Sequence, residues 1–358
     1  MISIDGAEGG GQMLRTALSL SALTGKAFRI KNIRARRNDP GLKPQHLACI
    51  RAVSEVCNGY AEGAEENSAD LLFVPRKLAV KNVEVDIGTA GSVTLLLQAL
   101  LLPCMFGHKS HTLTITGGTD TAWSMPIDYF ANVVVPQLSR VCGLEVKVLK
   151  RGYYPAGGGK VQVVVKPQFS LKKTGSFEGL LEKLKEKSLL LTKQGTLMRI
   201  KGVSHASKDL MEARVAERTA AAAKQELINC NVPIDCSFEY ANTESTGSGI
   251  TLWAIYSLKD GDIDSQNPVR VGADALGEAG KKSEVVGKEA AQSLRKEMIA
   301  PVDSHLADNL IPLLALCGTE MEVSKMSSHA LTNIQVAKAF LGDCLEVKGK
   351  RIMKVSQV

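Results

Sequence analysis

Long apolar runs are missing from this chain. The longest candidate, Val93 to Met105, is broken by Thr94, Gln98 and Pro103 and falls well short of the roughly 18 residues that span a bilayer, so no membrane role is expected. The opening Met1-Ile2-Ser3-Ile4-Asp5-Gly6 has neither the basic nor the apolar part of a secretory signal, which makes the cytoplasm the expected compartment. Cys-x-x-Cys pairs are absent too. The eight cysteines, Cys49, Cys57, Cys104, Cys142, Cys230, Cys236, Cys317 and Cys344, stand apart from one another and from the histidines. They read as small buried hydrophobes and not as a zinc site, with disulfides left open only for a hyperthermophilic source. A Walker A loop, a complete dinucleotide fingerprint and a Gly-x-Ser-x-Gly elbow are likewise missing.

What is present is a mildly basic chain of 358 residues, 44 Lys+Arg against 37 Asp+Glu, with 44% apolar and 23% charged residues. That composition excludes disorder, collagen and coiled coil, and the length exceeds one ordinary core. A strand (Ile2, Ile4), a glycine loop (Gly6, Gly9, Gly10, Gly11) and an amphipathic helix ending at Gly25 are followed by a strand from Ala27 to Ile33, a helix opened by Pro44 and a strand from Leu71 to Val74. The order returns from Val83 to Ile87, through Gly88-Thr89-Ala90-Gly91, to a helix over Ser92 to Leu102. A shorter echo, strand Met321 to Val323, loop Ser327-Ser328 and helix Thr332 to Leu341, lies near the C-terminus.

The expected fold is therefore α+β: a large discontinuous domain of three repeated βαβαβ-type units, residues 1–182 and 277–358, interrupted by a smaller α/β insert at 183–276. The insert should hold a strand from Leu197 to Val203, a long helix from Lys208 to Ile228 and strands near Ile234 to Tyr240 and Ile250 to Tyr256, with a turn-rich segment from Asp260 to Ser265.

Three segments could carry chemistry. Gly9-Gly10-Gly11 exposes backbone N–H groups at a helix N-terminus, a place that suits phosphate oxygens, with Glu8 as a hard oxygen ligand for a divalent ion and Arg15 about one helical turn on. A tight βα turn with a surface glutamate is the plainer alternative. The loop from Arg34 to His46 gathers Arg34, Arg36, Arg37 and Lys43 between Pro40, Gly41 and Pro44, a stiff cationic segment suited to phosphate, or a solvated basic loop. Gln45 and His46 could add donors or merely cap the helix. His329 opens a helix from a small polar loop, where the dipole keeps imidazole neutral and available as nucleophile or base; helix capping is its alternative role.

Taken together, Asp5-Gly6-Ala7-Glu8-Gly9-Gly10-Gly11-Gln12 with Leu14-Arg15-Thr16, Asn32-Ile33-Arg34-Ala35-Arg36-Arg37 with Pro40-Gly41-Leu42 and Gln45-His46, and Ser328-His329-Ala330-Leu331-Thr332-Asn333 resemble the RNA 3'-terminal phosphate cyclase family. Gly117-Gly118-Thr119-Asp120, Gly152-Tyr153-Tyr154-Pro155-Ala156-Gly157-Gly158-Gly159 and Leu306-Ala307-Asp308 extend the match over almost the whole chain. The resemblance implies a ligase that converts an RNA 3'-phosphate to a 2',3'-cyclic phosphodiester at the expense of ATP, through adenylylation of His329 and then of the RNA end.

By the same resemblance Glu8 holds a magnesium or manganese ion, and Arg15, Arg34, Arg37 and Gln45 contact the nucleotide phosphates. Pro126 and Asp308 line the nucleoside part of the site, with His305 and Asn309 completing the nucleotide-binding set. His305 stands where the family leads one to expect an aromatic ring on adenine. The implied architecture is akin to the C-terminal domain of a translation initiation factor and to enolpyruvyl transferases. Only 4% of the residues are aromatic, which suits gripping phosphates at an RNA end more than stacking along bases. A non-catalytic cyclase-like factor in ribosome biogenesis would lack the nucleophile, and an enolpyruvyl transferase would lack the arginine segment and the histidine loop. Homo-oligomerisation is compatible with the sequence without being required by it.

Overall fold

The computed structural model describes residues 1–187, 190–259, 269–318 and 320–355; the turn-rich segment from Asp260 to Ser265 lies outside them. Among the described residues no helix is long and apolar enough to cross a membrane.

The chain begins with β1 (Ile2–Asp5), α1 (Gly11–Thr24), β2 (Phe28–Lys31), α2 (Pro44–Cys57), β3 (Tyr60–Glu62) and β4 (Leu71–Val74). These strands form a sheet ordered β1-β2-β4-β3, with β1 and β2 parallel and the other pairings antiparallel. Alternation sets the faces: Phe28, Ile30, Leu71 and Phe73 point into the core, as a sheet with one buried face requires. Helix α1 stops where Gly25, at φ 73°, returns its N–H to the Ser21 carbonyl, a left-handed cap that glycine adopts without strain.

The next stretch repeats this plan. β5 (Val83–Asp86), α3 (Val93–Met105), β6 (His111–Gly117), a helical passage over 127–138, β7 (Cys142–Lys150) and β8 (Gly159–Pro167) make a sheet ordered β5-β6-β8-β7 with the same pattern of parallel and antiparallel neighbours. The passage over 127–138 contains a π-helical turn, Phe130–Val134.

Helix α4 (Phe177–Lys185) and the short strand β9 (Leu190–Leu191) then lead into β10 (Thr196–Ser207), α5 (Val215–Leu227), β11 (Ile234–Ala241), β12 (Ser248–Ser257), β13 (Val269–Leu276) and α6 (Ser283–Glu297). Strands β10 to β13 form their own sheet, ordered β11-β10-β12-β13, and α5 and α6 pack together against it. The helix expected from Lys208 begins only at Val215, because a 3-10 turn at Lys208–Leu210 and a left-handed Arg214 precede it. Residue 183, the expected start of the insert, lies in α4, whose Leu180 and Leu184 are buried in the main core. Helix α6 lies past the expected end at 276 yet packs on α5.

The chain closes with α7 (Ser304–Cys317), β14 (Glu320–Glu322), α8 (Ser328–Leu341), β15 (Leu345–Lys348) and β16 (Arg351–Lys354). The third sheet is β15-β16-β14-β9, in which β9 lies parallel to β14. It repeats the order and senses of the first two sheets if β9 is counted as its first strand, so the β10-to-α6 segment falls inside this unit, between its first strand and first helix. All eight cysteines are free thiols, seven of them buried and Cys230 half-buried.

Helices α1, α2, α3, α7 and α8 pack against one another at the centre. Their positions bring their N-terminal ends to one cleft.

Candidate functional site

The cleft has a volume of about 1220 Å³, and its wall includes Gly10 and Gly11 before α1, Gln45 and His46 at the start of α2, Ser92 before α3, Ser304 and His305 opening α7, and Ser327 and His329 opening α8. Five helix N-termini thus face one space, each directing the positive end of its dipole toward it. Arg15, Arg34 and Arg37 line the same space, so the site is built for a polyanion.

Close backbone approach explains the glycines. A Cβ on Gly11 would sit 2.2 Å from His46 Nε2 and 2.9 Å from Arg15 Nη1, and one on Gly10 would meet Arg37 Nη2 at 3.2 Å. The loop is held flat so that the cationic side chains can lie against it. Arg15 is buried, and its Nε donates to Gln98 Oε1 at 3.0 Å. Burial lowers its pKa to about 10, which leaves it charged at neutral pH. Gln98 Nε2 in turn donates to Asn309 Oδ1 at 3.1 Å. Arg34 adopts a left-handed backbone, φ 57°, and its Nη2 donates to the Asp39 carbonyl at 3.0 Å.

His46 Nδ1 accepts the Lys43 backbone N–H at 2.9 Å, which places the imidazole proton on Nε2. Burial, then Arg15, Arg34 and Lys43, push its pKa down to about 3, so the ring is neutral. Its Nε2 has no hydrogen-bond partner among the described residues.

His329 is half-buried, and its pKa is held below the usual 6.5 by burial first and then by Arg15, Arg37 and His305. At neutral pH the ring is a free base. Its helix is fixed by Ser327, whose Oγ accepts the Ala330 N–H at 2.8 Å and donates to Asp308 Oδ1 at 2.6 Å. Burial raises the Asp308 pKa to about 6 despite that hydrogen bond. Asn333 Nδ2 donates to the Asp308 carbonyl at 2.8 Å, which ties α8 to α7.

Of the residues expected to form the site, Arg15, Arg34, Arg37, Gln45, His305, Asp308, Asn309 and His329 all line the cleft. Glu8 and Pro126 do not. The exposed Glu8 carboxylate pairs with Arg36 at 2.6 Å, and Pro126 is buried and follows Met125, which does line the cleft. His305 is exposed at the start of α7, its ring edge-on to Tyr129 with centroids 6.0 Å apart.

Two features went unassigned from sequence. Gln98, visible only as a polar break in an apolar run, braces Arg15. A buried group joins the second sheet to the β10–β13 sheet: Arg151 bonds Asp120 at 3.1 Å and Asp128 at 2.7 Å and also pairs with Glu239 of β11, while Tyr153 Oη lies 2.8 Å from His205 Nδ1. His205 is fully buried in β10.

As a cation site neither candidate fits. Asp120, Asp128 and His205 bring donor atoms within 4.8 Å of one another, but the Arg151 guanidinium already bonds both carboxylates, and Glu8 pairs with Arg36 outside the cleft.

The model of the family described as RNA 3'-terminal phosphate cyclase matches residues 6–347. A protein of that name from Pyrococcus abyssi is 44% identical over 357 residues, covering 98% of this chain and 96% of the relative. One from Archaeoglobus fulgidus is 42% identical over 361 residues, covering 99% of each. One from Methanopyrus kandleri is 41% identical over 364 residues, with 98% and 96% covered.

Proposed function

Because this chain belongs to the RNA 3'-terminal phosphate cyclase family, a family of ligases, we propose that it closes RNA 3'-phosphates to 2',3'-cyclic phosphodiesters by way of a His329 adenylate formed from ATP. The carrying observation is a neutral, half-buried imidazole at a helix N-terminus in the same cleft as Arg15, Arg34 and Arg37.

A phosphate monoester has no good leaving group, so ring closure needs an activated phosphate. A ring nitrogen of His329 attacks the α-phosphorus of ATP; a P–N bond forms, the P–O bond to the β-phosphate breaks, and pyrophosphate departs. An oxygen of the RNA 3'-phosphate then displaces the imidazole, which breaks the P–N bond and yields RNA adenylate. Finally the adjacent 2'-hydroxyl loses its proton and attacks the terminal RNA phosphorus, expelling AMP and closing the five-membered ring.

Arg15, Arg34 and Arg37, together with the Gly10 and Gly11 backbone, offset charge on the phosphates through these steps. Gln45 adds a neutral donor. Depression of the His329 pKa matters in the first step, since imidazolium has no lone pair to offer. Asp308, Asn309 and His305 flank the nucleoside, and Pro126 supports that wall through its neighbour Met125. The 2'-hydroxyl is itself a reactant, so a DNA 3'-phosphate should be adenylylated but not cyclised.

The test is incubation with ATP labelled at the α-phosphate. Acid-labile, alkali-stable label should appear on wild type and not on His329→Ala. Label on both, or on neither while the RNA end is still cyclised, removes the covalent step.

A further inference from the structure

Rings are scarce in this chain, yet two of them stand in water at the cleft. Trp123 is 98% exposed and Tyr154 75% exposed, and both contribute to the cleft wall. They come from loops of the second sheet, whereas the three arginines come from the first unit. An exposed tryptophan on a mobile loop would signify little, but this one is braced. Its backbone is held at φ 66°, a conformation costly for a bulky residue, in a turn closed by Thr121 Oγ1 and Ser124 Oγ at 3.0 Å and by Ser124 Oγ donating to the Thr121 carbonyl at 3.0 Å.

The two loops are also joined to each other. The Thr119 N–H donates to the Gly152 carbonyl at 2.9 Å, and the Gly152 N–H donates to Thr119 Oγ1 at 3.0 Å. The Ala156 N–H reaches Ser245 Oγ of the β11–β12 connection at 3.0 Å. Both rings therefore project from loops braced on one rim, beside a cleft whose arginines suit phosphate.

We propose that Trp123 and Tyr154 form a stacking platform for the bases at the 3' end of single-stranded RNA, so that the arginines take the terminal phosphate while the rings hold the nucleosides next to it. This rests on the RNA-end reading given under Proposed function. Stacking on an exposed ring is indifferent to base identity, so the platform would hold an end without selecting its sequence. It also confines base contact to the last residues, consistent with a chain that has few other rings to offer.

The chain has two tryptophans, and the other, Trp253 in β12, is 5% exposed. Fluorescence from the exposed ring is therefore separable. Adding a 3'-phosphorylated oligoribonucleotide should quench the red-edge emission of wild type, and the same oligomer with abasic residues at its last two positions should not. Trp123→Phe should lose the signal and raise KM for RNA less than Trp123→Ala does, because a smaller ring can still stack. Trp123→Ala should raise KM for RNA about 10- to 100-fold, as loss of one base stack would, and Tyr154→Ala should also raise it, while label uptake from ATP without RNA stays at the wild-type rate in both. Unchanged KM in both alanine variants, or equal quenching by the abasic oligomer, overturns the platform. If wild type labels and cyclises normally in that case, the platform alone fails; if wild type neither labels nor cyclises, the functional reading fails and takes the platform with it.

Discussion

Thr16 and Asn333, 317 residues apart in sequence, share a buried hydrogen bond of 2.7 Å. It joins α1, which carries the glycine loop and Arg15, to α8, which carries His329. Since Asn333 also donates to the Asp308 carbonyl, one amide holds three helices whose N-termini make the cleft. Asn333→Ala should therefore cost about 2–4 kcal/mol, because it strands a buried hydroxyl and a carbonyl together. Thr16→Val should cost about 1 kcal/mol, and the double variant should fall short of the sum, since both changes remove the same bond. Urea denaturation of the three variants reads this directly; strict additivity would mean the bond carries no energy.

The acid limb of adenylylation should follow His329. Its pKa lies below 6.5 through burial and the nearby arginines, so the midpoint of the acid limb of label uptake should lie below pH 6.5. Removing a positive neighbour favours imidazolium, so Arg37→Gln should move the limb to higher pH in addition to slowing the reaction. Imidazole NMR titration, with the His329 signal assigned from His329→Asn, separates the two effects. A limb that stays in place in Arg37→Gln would mean that the charge does not reach the ring.

Gln98 should act through Arg15 and not on the nucleotide's charge. Arg15→Ala removes a buried guanidinium and should lower label uptake by 100-fold or more, in line with loss of a charged transition-state contact. Gln98→Ala keeps the charge but frees the side chain, and about a 10-fold loss is expected, of the order of one positioning hydrogen bond. Gln98→Glu still accepts from Arg15 Nε and should recover part of the activity. Failure of any recovery would point to a direct role for the Gln98 amide.

The extent to which these features can be read from sequence follows from their locality. The glycine loop, the arginine segment and the Ser327 to Asn333 loop each announce themselves over a few adjacent residues, and all three contribute to the cleft. The helix expected over Ser92 to Leu102, and found over Val93–Met105, was legible because an apolar run of that length bounded by Ser92 and Gly107 has few alternatives. Strand β9, with two residues, carries no periodicity, so its pairing with β14 could not be foreseen; the sheet partner, about 130 residues away, decides its state. The same holds for His205, whose neighbours Ser204, Ala206 and Ser207 suggest a loop, but which β12 and Tyr153 enclose. Glu8 shows the opposite limit: its position beside the glycine loop is evident, whereas its engagement by Arg36 is a matter of side-chain direction.

The Asp308 carboxyl gives a stability test with a definite sign. Its folded-state pKa is raised to about 6, so between about pH 4 and 6 the native state binds more protons than the unfolded one, and stability falls as pH rises through that window. Asp308→Asn removes the titration and keeps an oxygen for Ser327 Oγ. The variant should melt a few degrees above wild type at pH 7.5 and show no difference at pH 4. An equal shift at both pH values would rule out the buried carboxylate as its cause.

Arg151 should matter to the joint between the second sheet and the β10–β13 sheet more than any other single side chain there. Its side chain is 4% exposed and bonds Asp120 and Asp128 on one side and Glu239 on the other. Burial by itself would raise the Asp120 pKa, but His205 and Arg151 outweigh it and hold the carboxyl well below its usual 3.8. In wild type, then, this group contributes stability above pH 3.8 that is lost only in strong acid. Arg151→Met takes the guanidinium from both Asp120 and Asp128, leaving Asp120 with His205 as its remaining charged neighbour, and should cost about 3–5 kcal/mol at pH 7.5. With that attraction lost, burial raises the Asp120 pKa, and acidification toward pH 5 should recover part of the loss, the reverse of the wild-type trend. Adding Asp120→Asn to Arg151→Met should restore a similar part at pH 7.5 without any change of pH. A deficit that is the same at both pH values, and that Asp120→Asn does not relieve, would mean that Arg151 acts by packing and not by charge.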